Sequence, residues 1–503
     1  MAEQTIDLTR TTCPNREQRI GSIKAFYGKA ADLIKISEAG ELRWTNRAFQ
    51  QAGGCVLTSG ISRLATVRNG LVLNHAPIGC ASGLYGYREV YNNIPTALGR
   101  PPVNFRWISS NLTEEDIIFG GEGKLEATIR EAEERYHPEA IFIISSCASG
   151  IIGDDIEGVV RKLQTEITAR LVPIHCEGFR SQVPQTAFDA FWHGILKYLV
   201  NKPEKKQPDL INLVAPFSVT WGDRQELIRL VRRLNLRVNY VPEFATVDEL
   251  KVVGEAALTV TTCQSYGDYL QKALYEHYGV PYVRSPVPVG IEQTSLWLRE
   301  IAKHTGRTEL VEEVIESEIA AIQPHIDNLK KQLAGQKVSL FVNGGQARAL
   351  GIPILAAELG LPITGISTLE YDELAIEDVK RIVDRHGDYN IHVAEFQAFE
   401  QSAILDELKP DIYTGCPFVG SVYKREAGLA RMHSFRSDPS SFGQQFGYRG
   451  AVTYGHVILK ILRNRSLNKL LGEKTAPPYK AWWRSQAPLS FLRKENADVA
   501  VAK

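Results

Sequence analysis

The stretch Ala140-Ile141-Phe142-Ile143-Ile144-Ser145-Ser146-Cys147, followed by Gly150 and Gly153, decides the fold. Its short apolar run is typical of a strand that is buried on both faces of a parallel sheet. A cysteine directly after such a strand lies at the carboxyl edge of the sheet, where ligands collect in open α/β folds. Nearby glycines leave little steric obstruction around the sulfur. The segment therefore predicts a buried strand that presents a thiol to a ligand.

The same order of strand, loop and helix recurs along the chain. Further apolar runs rich in isoleucine and valine occur at 210–214, 257–260, 338–342, 389–393 and 411–413. Segments with helical period lie between them, for example at 126–135 and at 319–333, where Pro324 is expected to kink the helix. Such alternation predicts parallel sheets with helices on both faces, as in a large doubly wound α/β protein.

The composition limits the class of protein. A length of 503 residues suggests about three domains, and 44% hydrophobic with 23% charged residues is ordinary for a globular chain with large cores. A formal net charge of zero gives no bulk attraction to nucleic acid or to an anionic membrane. No apolar run reaches the ~18 residues of a membrane span, and the start lacks a signal-peptide pattern. Seven cysteines, an odd number, do not indicate a disulfide framework, so we expect a reducing cytoplasm.

Changes in pattern divide the chain into five segments. These are an amino-terminal extension at 1–45, α/β domains at 46–205, 206–335 and 336–470, and a carboxyl-terminal tail at 471–503. The charged, proline-containing stretch at 201–208 is the clearest linker. Trp482-Trp483 predicts that the tail is anchored on a surface of the protein.

Five residues indicate metal ligation. Cys55 follows two glycines, Cys80 closes a segment that ends in Ile-Gly-Cys, and Cys147 follows the strand described above. Cys263 and His433 offer a further sulfur and an imidazole. Thiolate and imidazole are suitable ligands for iron. From these residues alone, the alternatives of buried apolar cysteines and of a hydrogen-bonded structural histidine stay open.

Several short motifs, in a fixed order, carry a resemblance to a known family. They are Pro-Ile-Gly-Cys at 77–80, Asp-Ile-Ile-Phe-Gly-Gly at 116–121, Ile-Gly-Asp-Asp-Ile at 152–156, Cys-Glu-Gly-Phe-Arg at 176–180 and Met-His-Ser at 432–434. With these motifs the chain resembles component 1 of nitrogenase, in particular its α-type subunit, roughly from residue 53 to 461. The resemblance implies three Rossmann-like domains around a metallocluster.

The resemblance also implies ligands and partners. Cys55, Cys80 and Cys147 fall on the positions that bridge an eight-iron P-cluster together with three cysteines of a β-type subunit. Cys263 and His433 fall on the two positions that hold a larger iron–sulfur cofactor, whose heterometal the ligands do not reveal. We therefore expect an α2β2 heterotetramer that receives electrons from an ATP-dependent iron protein.

Two departures from the family pattern bear on the reaction. After Cys-Glu-Gly-Phe-Arg, nitrogenase α subunits carry a glutamine and, four positions on, a histidine over the reactive face of the cofactor. Here Gln185 is the candidate for the glutamine, and the histidine position falls on Phe188 or Asp189. Pro417 occupies the position of a lysine that holds homocitrate, which leaves the presence of that acid open.

Other family positions are kept. Arg88 falls near the cofactor face, and Gly344 and Gly345 form the glycine loop after a later strand, with its arginine displaced to Arg348. The catalytic candidates are thus Arg88, Gln185 and Phe188. The pair at 154–155 follows Ile-Gly at a strand-to-helix turn, which favours helix capping over metal binding.

The remaining cysteines carry less information. Cys13 lies in a stretch without clear pattern, and we expect it to be a free thiol. Cys176 follows an apolar run and is expected to pack at a strand end. Cys416 follows the last predicted strand, and its role is left open between function and packing.

Three functions fit these residues. The favoured one is the catalytic subunit of a nitrogenase-like methylthio-alkane reductase. Such an enzyme cleaves the carbon–sulfur bond of dimethyl sulfide or methylthioethanol to methanethiol and a hydrocarbon for sulfur salvage. A pocket with Phe188 or Asp189 in place of the histidine, and with Phe191 and Trp192 nearby, suits an apolar thioether better than a reaction with many relayed protons. The alternatives are a scaffold for assembly of the nitrogenase cofactor and a nitrogenase α subunit. His433 argues against the scaffold, because scaffolds keep the anchoring cysteine but lack the histidine.

Overall fold

The computed structural model describes residues 5–23, 25–42, 45, 47, 55–80, 106–215, 219–336, 338–395, 397–415, 428–431, 444–463 and 479–492. Four residues of the sequence analysis, Arg88, Cys416, Pro417 and His433, lie outside these ranges. The chain divides into two compact units, each built from three stretches. Unit 1 comprises 1–19, 54–331 and 433–456, and unit 2 comprises 20–53, 332–432 and 457–503.

The strands are β1 (Ala25–Lys29), β2 (Gly70–His75), β3 (Trp107–Ser109), β4 (Ala140–Ser145), β5 (Arg170–Ile174), β6 (Gln207–Val214), β7 (Arg237–Val241), β8 (Ala256–Thr261), β9 (Leu340–Gly344), β10 (Ile363–Thr368), β11 (Asn390–Ala394), β12 (Ile412–Gly415) and β13 (Gly428–Arg431).

The helices are α1 (Arg16–Arg19), α2 (Ala30–Glu38), α3 (Val56–Leu64), α4 (Glu114–Phe119), α5 (Glu122–Tyr136), α6 (Cys147–Ile152), α7 (Ile156–Leu163), α8 (Thr186–Tyr198), α9 (Trp221–Arg233), α10 (Val247–Lys251), α11 (Gln264–Tyr278), α12 (Ile291–Thr305), α13 (Thr308–Leu333), α14 (Gln346–Glu358), α15 (Ile376–His386), α16 (Ala398–Leu408), α17 (Gly447–Arg463) and α18 (Ala481–Arg484).

The described strands form three sheets. Unit 1 contains the orders β3-β2-β4-β5 and β7-β6-β8, and unit 2 contains β1-β11-β10-β9-β12-β13. All neighbours pair in parallel except β1, which is antiparallel to β11. Parallel sheets with interleaved helices confirm the predicted α/β class. The segment boundaries proposed from the sequence stay a prediction.

The order of strands reverses once in each sheet. The reversals fall between β2 and β4, between β6 and β8, and between β9 and β12. Ligands of open α/β sheets bind at such switch points, outside the carboxyl ends of the strands. Cys80 follows β2, Cys147 follows β4, Cys263 follows β8 and Gly344 ends β9. In this fold, the predicted site residues therefore lie at the switch points of the sheets in their own units.

The decisive strand β4 is buried along its whole length. Ile141 and Ile143 pack with Leu71 of β2, with Ile129 of α5 and with Val160 of α7. Burial of one such side chain contributes about 1.5–3 kcal/mol, so this cluster holds the loop after β4 on a rigid support.

Two terminal stretches are more ordered than their patterns suggest. β1 lies within the predicted amino-terminal extension and completes the sheet of unit 2. In the tail, Trp483 contacts the rings of Phe399 and Phe491, and Arg484 pairs with Asp406 at 2.8 Å. The prediction that the tail is anchored on the protein surface is therefore confirmed.

Candidate functional site

Three cysteines of unit 1 lie at helix starts or within a helical turn. Cys55 is the residue before α3 and has an extended backbone, and Cys147 is the first residue of α6. Cys80 lies in the helical turn that follows β2. All three side chains are exposed. Local chain geometry thus presents each sulfur outward.

The sulfurs of Cys55 and Cys147 both lie next to Gly178. A Cβ atom added to Gly178 would lie 3.2 Å from Sγ of Cys147 and 3.6 Å from Sγ of Cys55. Its backbone N–H donates a hydrogen bond to Sγ of Cys147 at 3.1 Å. Burial, and then the negative charges of Cys55 and Cys147, raise the pKa of Cys80, so the third thiol belongs to the same region.

This arrangement suits a cluster better than a single ion. Within the described residues, no three His, Cys, Asp or Glu side chains are grouped so as to hold one metal ion. In an iron–sulfur cluster each thiolate binds a different iron, so the ligands are spaced by the cluster. Three exposed thiols, two of them beside a glycine at which a Cβ would fill the space, fit such a group.

Cys263 lies at the second switch point of unit 1 and is 7% exposed. Thr261 fixes its backbone, because Oγ1 of Thr261 accepts a hydrogen bond from the N–H of Cys263 at 3.1 Å. Gly267 makes room for this threonine, since a Cβ there would lie 2.6 Å from the same oxygen. The thiol is therefore held in one position at the start of α11. It can act as one thiolate ligand of a buried group.

Aromatic and cationic side chains surround the segment after Cys263. The rings of Tyr266 and Phe188 lie 4.2 Å apart, centroid to centroid. The guanidinium groups of Arg16 and Arg63 lie 5.7 Å and 6.0 Å from the Phe188 ring. Phe188 thus forms part of an apolar wall that is flanked by two paired arginine side chains.

Asp189, the other candidate for the histidine position, has a different role. It is fully buried, and its carboxylate binds Arg16 at 2.9 Å and Arg19 at 2.8 Å. Arg19 also binds Asp268 of α11, and Arg16 donates to the Ser265 hydroxyl at 2.7 Å. Since Asp189 is committed to these ion pairs, Phe188 is the one that packs beside α11. No motif or spacing in the sequence pointed to either arginine.

Two further polar side chains lie on or before α8. Gln185 is half-buried, and within the described residues its amide oxygen has no hydrogen-bond partner. His193 is buried; its Nε2–H donates to the carbonyl of Arg10 at 3.0 Å, and Nδ1 accepts from the Tyr269 hydroxyl at 2.8 Å. The amide oxygen of Gln185 can therefore accept a hydrogen bond from a ligand, whereas both ring nitrogens of His193 already have hydrogen-bond partners.

In unit 2, the glycine loop follows β9. A Cβ at Gly344 would lie 3.3 Å from Cβ of Arg348, whereas a Cβ at Gly345 would meet no atom within 4 Å. Arg348 itself is buried in α14. Gly345 therefore leaves its backbone approachable at the switch point between β9 and β12.

The chain matches the sequence profile of nitrogenase component 1 type oxidoreductases over residues 55–463. The chain belongs to the nitrogenase component 1 family. The nitrogenase iron-molybdenum cofactor biosynthesis protein NifE of Methanococcus maripaludis is 29% identical over 371 residues, which cover 71% of this chain and 73% of that protein. The nitrogenase molybdenum-iron protein alpha chain of Methanothermobacter thermautotrophicus is 30% identical over 390 residues, covering 74% and 80%.

A solved structure supports the fold. Nitrogenase Cp1 at pH 5 superposes with a TM-score of 0.69 and 22% identity, covering 86% of this chain and 91% of that one. The family and fold expected from the sequence are thus confirmed. In the described part of this family member, no helix is long and apolar enough to span a bilayer.

The aspartates at 154–155 have structural roles in this family member. Asp155 accepts a hydrogen bond from the N–H of Gly158 at 2.8 Å and so caps α7. Asp154 accepts from Nε2 of buried His75 at 2.8 Å and from the N–H of Gly121 at 2.9 Å. The capping interpretation is confirmed for Asp155, while Asp154 instead ties β2 to the loop before α5.

An apolar patch is exposed beside the cysteines. We call this patch the apolar rim; it consists of Ile78, Ile117, Ile118, Phe119, Ile151 and Phe179. Ile118, Phe119 and Ile151 are 73%, 81% and 74% exposed. Ile151 belongs to the helix that begins with Cys147, and Ile78 precedes Cys80 by two residues. Clustered exposed apolar side chains of this kind mark interaction surfaces.

Four charged side chains form a chain of contacts next to Gly178. His175 binds Glu157 at 2.7 Å and Glu177 at 3.1 Å, and Arg180 binds the other oxygen of Glu177. We call these four residues the charged array. Burial opposes protonation of His175, but the hydrogen bonds of Glu157 and Glu177 raise its pKa to about 9. Both ring nitrogens therefore carry protons at neutral pH and donate to carboxylates.

The charged array predicts a pH dependence of stability. The pKa of His175 rises from 6.5 in the unfolded chain to about 9 in the folded one. Its contribution is therefore complete below pH 6.5 and is lost as the pH rises through 9. Relative to His175→Gln, we expect the wild type to lose about 1–3 kcal/mol of unfolding free energy across this window. Urea unfolding of both proteins at a series of pH values measures the difference in unfolding free energy. A difference that stays constant with pH would contradict the ion pairs of His175 with Glu157 and Glu177.

Proposed function

We propose that this chain is the catalytic subunit of a nitrogenase-like reductase that cleaves carbon–sulfur bonds of small methylthio-alkanes. Dimethyl sulfide and methylthioethanol are the expected substrates, and methanethiol and a hydrocarbon the products, for sulfur salvage. The observation that carries the proposal is Phe188, packed on Tyr266 beside the helix that follows Cys263. In nitrogenase α subunits, the resemblance implies that this position carries a proton-delivering histidine, which is absent here.

The ligand sets follow from the same resemblance. Cys55, Cys80 and Cys147 would hold the α-type half of a P-cluster, with a β-type subunit supplying the rest. Cys263, with His433, would hold the larger iron–sulfur cofactor. When bound, these groups supply electrons to the substrate. The sulfur settings described above support both assignments, since three thiols are exposed and one is buried.

The side chains of this chain would shape the substrate site. The closely packed rings of Phe188 and Tyr266, whose planes are tilted by 53°, would exclude water and favour an apolar thioether. The guanidinium groups of Arg16 and Arg63 lie beside the Phe188 ring, where Arg16 is paired with Asp189 and Arg63 with Glu243. Gln185 offers an amide oxygen that can orient a hydroxyl group such as that of methylthioethanol. Arg88 and the Gly344–Gly345 loop are further candidates for binding at the cofactor face.

The reaction requires two electrons and two protons. For dimethyl sulfide, one carbon–sulfur bond breaks, a carbon–hydrogen bond forms on the methyl group, and the sulfur takes the second proton. The products are methane and methanethiol. The electrons would come from an ATP-dependent iron protein through the P-cluster.

We also propose that the apolar rim is the docking surface for that iron protein. It borders the exposed cysteines, so a reductase bound there would be near the first electron acceptor. Phe119→Asp should slow electron delivery at least tenfold while leaving cluster content unchanged, because it puts a charge into the contact. Tyr275→Asp, also an exposed aromatic residue but outside the rim, is the control. Equal rates of electron delivery in both variants would show that the apolar rim is not the docking surface.

A scaffold for cofactor assembly is the second candidate. It is favoured by the similarity to NifE, whose name states a role in cofactor biosynthesis. A scaffold passes its cofactor on, whereas an enzyme retains it through many turnovers. Transfer of the bound cofactor to a cofactor-free nitrogenase would therefore support this candidate.

Headspace gas chromatography tests the favoured function. The chain is purified anaerobically with its native partners and supplied with ATP, a reductant and dimethyl sulfide or methylthioethanol. Methanethiol together with methane or ethylene is the expected result. No hydrocarbon from a preparation with intact clusters and an active iron protein would refute the reductase.

Variants at Phe188 test the observation behind the proposal. Phe188→Leu keeps an apolar wall and should retain most methanethiol formation. Phe188→His should lower it about tenfold, which corresponds to about 1.4 kcal/mol in the barrier. If both variants behave alike, the apolar character of this position does not determine the substrate.

A further inference from the structure

We propose that the charged array positions the backbone amide of Gly178 on the sulfur of Cys147, and that this amide tunes the reduction potential of an iron–sulfur cluster bound there. The cluster itself rests on the proposed function. The residues that position this amide are Glu157, His175, Glu177 and Arg180.

The contact to be explained is a single hydrogen bond. The N–H of Gly178 lies 3.1 Å from Sγ of Cys147, and Gly178 is the residue whose missing Cβ leaves room for two sulfurs. Hydrogen bonds to sulfur withdraw electron density and are one of the means by which a protein raises the potential of such a cluster. The position of this amide therefore has an electronic consequence.

Glu177, the neighbour of Gly178, is held on three sides. One carboxylate oxygen accepts from His175 at 3.1 Å, and the other accepts from Arg180. The stem of Glu177 packs on Gly150, where an added Cβ would lie 2.6 Å from its Cγ. Since Gly150 belongs to the helix that Cys147 begins, the carboxylate links the amide donor to the helix of the acceptor.

The array acts through geometry more than through charge. It contains two carboxylates and two cations, because the pKa of His175 is raised to about 9 and that of Glu177 is lowered to about 2. The four charges cancel at neutral pH, so the net field at the cysteines is small. The charged array therefore acts by holding the turn at 177–180 rigid.

Gly150→Ala is the most direct test, because it adds no charge. Its methyl group must displace Glu177, and the Gly178 amide should move with it. In the holoprotein we expect a lower midpoint potential of the cluster in a redox titration followed by electron paramagnetic resonance, at unchanged iron content. His175→Gln should shift the potential in the same direction. Gly123→Ala is the matched control, since a Cβ at that helical glycine meets no atom within 4 Å.

Hydrogen–deuterium exchange of the 176–180 peptide supplies a readout that does not depend on the metal. Faster exchange in Gly150→Ala and His175→Gln, with no change in Gly123→Ala, supports the positioning role even if the variants lose their cluster. Unchanged exchange overturns it. An unchanged potential at full iron content overturns the tuning role. Absence of any cluster from the wild type would instead count against the proposed function.

Discussion

Cys263→Ala should abolish methanethiol formation, at least a hundredfold, while leaving the P-cluster in place. The thiol is 7% exposed and fixed at the end of β8, so no water or neighbouring side chain can readily replace it as a ligand. If Cys263 and His433 are the two protein ligands, as proposed, loss of one of them should release the larger cofactor. Iron analysis together with electron paramagnetic resonance separates the two groups, because their signals differ.

Two further cysteine variants sharpen this prediction. Cys147→Ala should give the reverse pattern, with a damaged P-cluster and retained cofactor. Cys176→Ala removes another buried thiol, one that packs at a strand end and whose pKa is raised by burial, so both groups should persist. Cofactor iron retained in Cys263→Ala would show that the ligand assignment is wrong.

Asp189→Ala should strongly destabilise the folded chain. It leaves Arg16, which is fully buried, and Arg19 without the carboxylate that both bind. Removal of one partner of a buried ion pair costs about 3–5 kcal/mol, because the remaining charge is left without compensation. Urea unfolding followed by far-ultraviolet circular dichroism measures the loss.

An exposed ion pair provides the control. Asp209 binds Arg237 at 2.6 Å, but about half of each side chain is exposed. Asp209→Ala should therefore cost less than about 1 kcal/mol. If Asp189→Ala costs no more than this control, the segment at 16–19 does not hold α8 and α11 together, and its link to Phe188 loses its basis.

Part of the site could be predicted from short-range pattern. Each cysteine was recognised because it lies beside glycine or at the end of an apolar run, and strand ends of parallel sheets converge on ligands. The motif at 176–180 was also visible, but the function of its members was not. Glu177 acts through His175 and Arg180, and no spacing rule connects these residues to the amide of Gly178.

The amino acid sequence by itself determined the α/β class, several of the buried strands and the family, because apolar periodicity and local motifs are short-range properties. The tertiary structure alone decided between Phe188 and Asp189. Neighbouring residues of a helix face different directions, and only the contacts of Asp189 with Arg16 and Arg19, 173 and 170 residues away in the chain, assign their roles. Such pairs arise from chain folding over long separations, which local pattern cannot encode.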